Sequence, residues 1–157
     1  MPLTKIKKLL DEHSIKYTII KHSSTYTAQE IAASAHISGK ELAKTVMIKF
    51  DGKMAMAVLP ASYKISFDDL KEVLGVEKVR LAYEQEFMEK FPDCEVGAMP
   101  PFGNLYGLEV YVAESLADDE EIAFNACSHT ELIRMRYKNF EELVKPKRMK
   151  FSELSKV

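Results

Sequence analysis

Four groups of residues in this chain have types and spacings suited to chemistry. The first is the run Val96-Gly97-Ala98-Met99-Pro100-Pro101-Phe102-Gly103. Two glycines and two prolines so close together exclude helix and central strand, because each proline lacks a backbone donor and has a fixed φ. What remains is a stiff loop with exposed main-chain N–H groups, and Gly97 and Gly103 permit close approach or positive φ at its ends. Such a loop suits a small anionic or oxyanion-bearing group, with a structural turn between helix and strand as the alternative.

The second group is Lys44, which opens an apolar run and alternates onto the same face as Val46, Ile48 and Phe50. From a strand's first position an ammonium can reach the rim of a pocket and hold a phosphate or carboxylate, or it can snorkel to solvent. The third is Ser128-His129, a polar pair in a tight connection between two apolar segments. Cys127 stands two residues before His129, about 6.6 Å away in an extended chain, which raises a Cys-His nucleophile pair; a core cysteine is the plainer reading. The fourth is the set His13, His22, His36 and His129, whose spacing is not that of a metal site. His13 and His36 fit helix caps or helix surfaces, and no cofactor is implied.

These residues need elements to hold them. Ile6, Leu9, Leu10 and His13 fall at helical spacing, and Ile15, Tyr17 and Ile19 alternate as a strand that ends before His22. Thr27-Ala28-Gln29-Glu30 is a capping box for a short helix through Ala35, and Ser38-Gly39-Lys40-Glu41 repeats the start signal. Lys44 to Phe50, Asp51-Gly52, and Lys53 to Leu59 read as a hairpin on a type I′ turn ended by Pro60. Ser66 caps a helix closed by Gly75, and Val76 to Ala82 reads as a strand with Val79 and Leu81 on one face. A short helix around Phe87, Met88 and Phe91 precedes the glycine-proline loop. Strands then follow over Leu108–Ala113, Glu121–Cys127 and Thr130–Arg136, with a last helix carrying Phe140, Leu143 and Val144. Six or seven strands interleaved with short helices describe a mixed sheet of α/β or α+β class.

The length of 157 residues and 46% hydrophobic content predict one domain over residues 1–157 with a real core. Residues 146–157 form a basic tail that should fray. The net charge of −2 argues against coating nucleic acid through general electrostatics. From Arg134 to Lys150, however, seven basic residues face Glu141 and Glu142, so this stretch is +5 and the rest is −7. It permits a local phosphate contact, although a solvated face is the simpler reading. Cys94 and Cys127 have neither zinc nor redox-pair spacing, so reduced thiols in a cytoplasmic protein are expected. The first ten residues read as an amphipathic helix rather than a signal peptide, and no apolar run approaches membrane-span length.

Taken in order, His22, Thr27-Ala28-Gln29-Glu30, Lys44-Thr45-Val46, Gly97-Ala98-Met99-Pro100-Pro101 and Ser128-His129 resemble the YbaK/prolyl-tRNA synthetase-associated editing-domain family, from about Ile6 to Pro146. The resemblance implies a mixed β-sheet surrounded by helices. It implies hydrolysis, in trans, of the ester between a wrong amino acid and the 3′ CCA end of a tRNA, often the one for proline. Carried over by position, Lys44 holds the terminal phosphate or ribose, Gly97 offers a backbone donor to the scissile carbonyl, and His129 lines the amino-acid pocket. Tyr26, Thr45, Ala98, Met99, Pro100, Pro101 and Ser128 are implied neighbours, with His22 at the mouth. Chemistry in such a site is implied to be substrate-assisted, with water positioned or activated by a ribose hydroxyl or with attack by the bound amino acid's own side chain, and with the oxyanion stabilised by main-chain amides. Ala, Ser, Cys and Thr are the amino acids in view, and a synthetase is a possible capture partner. One departure is Cys127, where the family pattern leads one to expect glycine. Two other classes stay open: a non-catalytic module that binds aminoacylated 3′ ends or a small metabolite, and a hydrolase that depends on Cys127.

Overall fold

The computed structural model describes residues 4–22, 30, 41–92, 94–95 and 98–154. Helix α1 (Thr4–Glu12) forms because Ile6 and Leu10, one turn apart, are both fully buried, while Lys5 and Lys8 stay in solvent. Strand β1 (Tyr17–Lys21) pairs antiparallel with β8 (Glu131–Arg136), and β8 pairs antiparallel with β7 (Glu121–Asn125). This sheet has the order β1-β8-β7.

A second sheet is built on the hairpin of β2 (Ala43–Phe50) and β3 (Lys53–Pro60). Asp51 and Gly52 have φ of 50° and 74°, the two positive values that a type I′ turn demands. Residues 55–60 of β3 are buried throughout, because the strand is central: β2 lies on one side and β6 (Glu109–Ala113), parallel to it, on the other. The edges are β5 (Arg80–Leu81) beside β2 and β9 (Lys147–Met149) beside β6. A two-stranded ladder of β4 (Tyr63–Ile65) and β10 (Ser152–Leu154) completes the set. The two larger sheets meet where Leu42 bridges Ala123 in parallel and the Ala123 N–H donates to Glu41 O.

Short helices close the layers. In α2 (Phe67–Leu74) Ser66 Oγ accepts from the Asp69 N–H at 3.3 Å, and Gly75 ends the helix in the left-handed region at φ 67°. Helix α3 (Glu84–Phe87) runs into a 3₁₀ turn at Met88–Lys90. Helix α4 (Glu114–Ala117) follows β6, and α5 (Tyr137–Val144) follows β8. The main core gathers Ile6, Met56, Val58, Phe102, Phe124 and Phe140, and a smaller one on the other face gathers Ile48, Leu59, Leu70 and Phe151.

The mixed α+β class holds, with more and shorter strands than the pattern predicted. Two expectations are corrected. The strand expected over Val76–Ala82 shrinks to Arg80–Leu81, and Leu81 is 52% exposed, because this edge pairs with β2 at only two residues. The tail expected to fray beyond Pro146 instead forms β9 and β10, and Phe151 between them is fully buried in the smaller core. Burying that ring offsets the ordering entropy of the segment. The helix start signals at residues 27–29 and 38–40 lie outside the described residues, while Glu30 is helical.

Gly103 is required by space. A Cβ there would meet Leu108 O and Val110 Cγ2, each at 2.7 Å, so backbone as well as side chain would have to move. Gly103→Ala is therefore expected to lower the unfolding free energy by about 1–3 kcal/mol, measured by urea denaturation.

Candidate active site

The turn joining β7 to β8 is tied to the segment that follows Phe91. Glu95 N–H donates to Cys127 O at 2.9 Å, Cys127 N–H to Ala98 O at 2.9 Å, and Ala98 N–H to Glu95 O at 3.0 Å. The Glu95 carboxylate also accepts from the His129 N–H at 2.8 Å. From the third side, the His22 N–H donates to Thr130 O at 2.8 Å, which fixes the end of β1 against the same turn. Ser128 is buried, and its Oγ lies 3.2 Å from Thr130 Oγ1 and accepts from the Thr130 N–H at 3.4 Å. Thus His22, Ala98, Ser128 and His129, singled out separately in the sequence, meet at one turn. Glu95 and Thr130 belong to it as well, and no spacing in the chain announced them.

The reduced thiols expected at Cys94 and Cys127 are overturned: the two residues form a disulfide across 33 residues of chain. While the disulfide is closed, the Cys127 sulfur is engaged with Cys94 and is not available as a nucleophile, which disfavours the Cys-His pair and the Cys127-dependent hydrolase in this state. Cys127 has φ 68°, a left-handed conformation that costs a residue with a side chain roughly 1–2 kcal/mol. Glycine would occupy that position without the cost, which explains physically why glycine was expected there.

The diproline segment also differs from its expected form. Residues 98–103 are all buried, with Met99 and Phe102 in the main core. Two prolines make this burial inexpensive, since neither carries an N–H that would need a partner away from water. The segment is therefore a packed wall, and Ala98's N–H is already used by Glu95 O. The amide proposed to face a carbonyl belongs to Gly97, which, like Tyr26, lies outside the described residues.

Lys44 is half-buried on β2, and burial holds its ammonium pKa below the usual lysine value. Among the described residues it has no hydrogen-bond or ion-pair partner. Lys49, on the same strand, shows the contrast: its Nζ lies 2.7 Å from Glu86 Oε2. Lys44 shares its face of β2 with Val46 and Ile48, whereas Thr45 alternates to the opposite face with Ala43 and Met47. Leu42, two residues before Lys44, bridges Ala123 in parallel, four residues before Cys127. Among the described residues no hydrogen bond joins Lys44 to residues 98–101 or to His129.

Three of the seven basic residues of this stretch are paired with neighbouring carboxylates. Arg134 pairs with Glu41 at 3.2 Å and Glu121 at 3.6 Å, Arg148 with Glu141 at 2.8 Å, and Lys147 with Glu109 at 3.9 Å. Arg136, Lys138, Lys145 and Lys150 are exposed. Hydrogen bonding from Tyr111 and the charge of Lys147 hold the Glu109 carboxyl below its ordinary range. Among the described residues no three histidine, cysteine or acidic side chains are grouped to hold a metal ion, and no helix is long and apolar enough to cross a membrane.

A fold of this kind has known counterparts. The family model of the aminoacyl-tRNA editing domain matches residues 22–143, and the chain belongs to that family. The prolyl-tRNA editing protein ProX of Acetoanaerobium sticklandii is 26% identical over 143 residues, covering 87% of this chain and 86% of that protein. A proline–tRNA ligase of Bacillus mycoides is 26% identical over 100 residues, 64% of this chain, but the match spans only 17% of the ligase. A solved structure described as a candidate trans-editing enzyme for prolyl tRNA synthetase superposes with a TM-score of 0.83 at 18% identity, covering 97% of each chain. A protein of unassigned function superposes with a TM-score of 0.83 at 22% identity over 95% of this chain. The last two show the shared fold.

Proposed function

We propose that this protein is a trans-acting aminoacyl-tRNA deacylase, hydrolysing the ester of a tRNA for proline that carries a small wrong amino acid such as Ala, Cys, Ser or Thr. The observation that carries the reading is Lys44: an ammonium kept partly out of water, with no carboxylate paired to it among the described residues, is completed by an anionic ligand. The phosphate of the tRNA's terminal nucleotide, with the ribose edge as a neutral alternative contact, is that ligand. The name and near-complete coverage of the prolyl-tRNA editing relative support the substrate class.

In this reading Lys44 anchors the terminal nucleotide, and the turn of Ser128 and His129 lines the pocket for the acyl side chain. Water adds to the ester carbon, the oxyanion is met by the Gly97 amide, and the ribose oxygen leaves with the proton that water gives up. The terminal ribose hydroxyl positions the water, so no protein base is needed. Aminoacyl esters are reactive, and one oriented main-chain donor together with positioning supplies the required few kcal/mol. The site acts in the compartment of translation, and the modest net charge makes capture by a synthetase partner useful.

The test is a deacylation panel: purified protein with tRNA for proline charged separately with Pro, Ala, Cys, Ser and Thr. Release of at least one small wrong amino acid well above the buffer rate, with Pro spared, is expected. Tight binding of an uncleavable aminoacyl-adenosine analogue with no release from any charged tRNA would select the binding module instead.

A further inference from the structure

We propose that Cys94 and Cys127 are a redox-controlled positioning pair for the hydrolytic site, a proposal that rests on the deacylase reading above. The pair sits at the crossing of the two segments that build the site. Cys94 begins the stretch leading to the diproline wall, and Cys127 immediately precedes Ser128-His129. Beside the disulfide, these segments are held by the two backbone bonds between Cys127 and Glu95 or Ala98, and by the Glu95 carboxylate on the His129 N–H. The covalent bond therefore adds to hydrogen bonds that are individually modest, at the place where a small shift moves the pocket wall.

A second observation points the same way. Cys127 keeps the left-handed conformation at φ 68° that glycine would take freely. With the bond closed, the cross-link to Cys94 holds that conformation. With the bond open, a side chain at this position biases the turn away from it, and the amides of residues 127–129 move with it.

The two sulfurs are unequal in access. Cys94 is half-buried, with its Sγ 3.9 Å from Tyr106 Oη, whereas Cys127 is 1% exposed. Closure follows from that asymmetry. The Cys94 thiolate attacks a low-molecular-weight disulfide of the glutathione type, expelling one small thiolate and leaving a mixed disulfide on Cys94. The Cys127 thiolate then attacks the Cys94 sulfur, expelling the second. The protein loses two thiol protons and two electrons, and the small disulfide gains both as two thiols. Opening is the reverse, with entry again at Cys94. Charged tRNA is met where the thiol pool is reducing, and disulfides there are characteristically transient and redox-sensing, so both states are accessible.

The experiment equilibrates full-length protein in buffers of varied reduced-to-oxidised glutathione ratio, counts free thiols by alkylation and mass spectrometry, and measures kcat and KM for deacylation in each. The oxidised form is expected to show about a tenfold higher kcat/KM, most of it in kcat, as for a loop that positions the reacting groups. Cys94→Ser should behave like the reduced form at every ratio. Cys127→Gly, which supplies the left-handed turn without a thiol, should exceed the reduced wild type and ignore the ratio. A merely structural cysteine would show neither the split nor that rescue. Equal kcat and KM in both thiol states, or a ratio dependence that survives Cys94→Ser, would overturn the proposal. If neither form deacylates any charged tRNA, the deacylase reading has failed, and amide hydrogen exchange at Ala98 and Cys127 decides: unequal protection between thiol states upholds the clamp, and equal protection removes it.

Discussion

Lys44→Ala is expected to lower kcat/KM for aminoacyl-tRNA hydrolysis by about 100-fold or more, the scale seen when one preorganised electrostatic group is deleted. The expectation follows from the ammonium's surroundings: a half-buried strand position, no partner among the described residues, and a pKa lowered by burial from the usual 10.5. The protonated form binds an anion, so activity should fall as pH rises through the lowered pKa, earlier than for a free lysine. Lys44→Arg should retain part of the activity and lose that alkaline limb, since guanidinium does not titrate there. Stability carries the opposite sign. Between the lowered pKa and 10.5 the unfolded chain binds more protons than the native one, so stability rises with pH in that window. Lys44→Met should remove this slope and raise the unfolding midpoint by about 1–2 °C while abolishing turnover. A lysine that merely snorkels would lose nothing on substitution, and wild-type turnover by Lys44→Ala would end the case for it as an anchor.

Local signals carried much of this fold. Asp51-Gly52 between alternating apolar runs, and Ser66 with Gly75 around an amphipathic octet, specify their own dihedrals, so the hairpin and α2 are legible residue by residue. The signals that misled are those whose outcome depends on distant partners. Whether Val76–Ala82 pairs along its length depends on how it meets the edge of β2, and it does so only at Ile48–Leu81 and Lys49–Arg80. The strands after Pro146 exist because β6 offers a parallel edge and the smaller core has room for Phe151, neither of which local composition reports. At the site, the disulfide was hidden by the 33 residues separating its cysteines, although the glycine expected at position 127 was a readable trace of the turn geometry. The diproline segment was legible as stiff, but its burial was not: rigid prolines are equally compatible with a surface loop and a packed wall. What decides is that Met99 and Phe102 flank them and find the main core.

Phe102→Ala is the substitution expected to cost the most stability, and it tests whether the core holds the site wall in place. The ring is fully buried, with centroids 5.4 Å from Phe124 and 5.6 Å from Phe140, the latter nearly edge-on. Phe124 belongs to β7 and Phe140 to α5, so one side chain ties the diproline segment to a strand and a helix on either side of β8. Truncation removes apolar burial and leaves a cavity that the prolines cannot collapse into, a loss of about 3–5 kcal/mol. Against a total of roughly 5–15 kcal/mol, that is a large fraction, and the thermal midpoint should fall by about 10 °C or more. Val73→Ala, at a residue 39% exposed on α2, should stay within about 0.5 kcal/mol and serves as the control. Calorimetry gives the first number, and deacylation measured well below the variant's midpoint gives the second. At that temperature kcat should drop while KM changes little, because the Phe102 ring is fully buried and supports the wall from behind. A loss below about 1 kcal/mol would mean that packing does not hold the segment, leaving its position to the backbone bonds and the disulfide at Cys127.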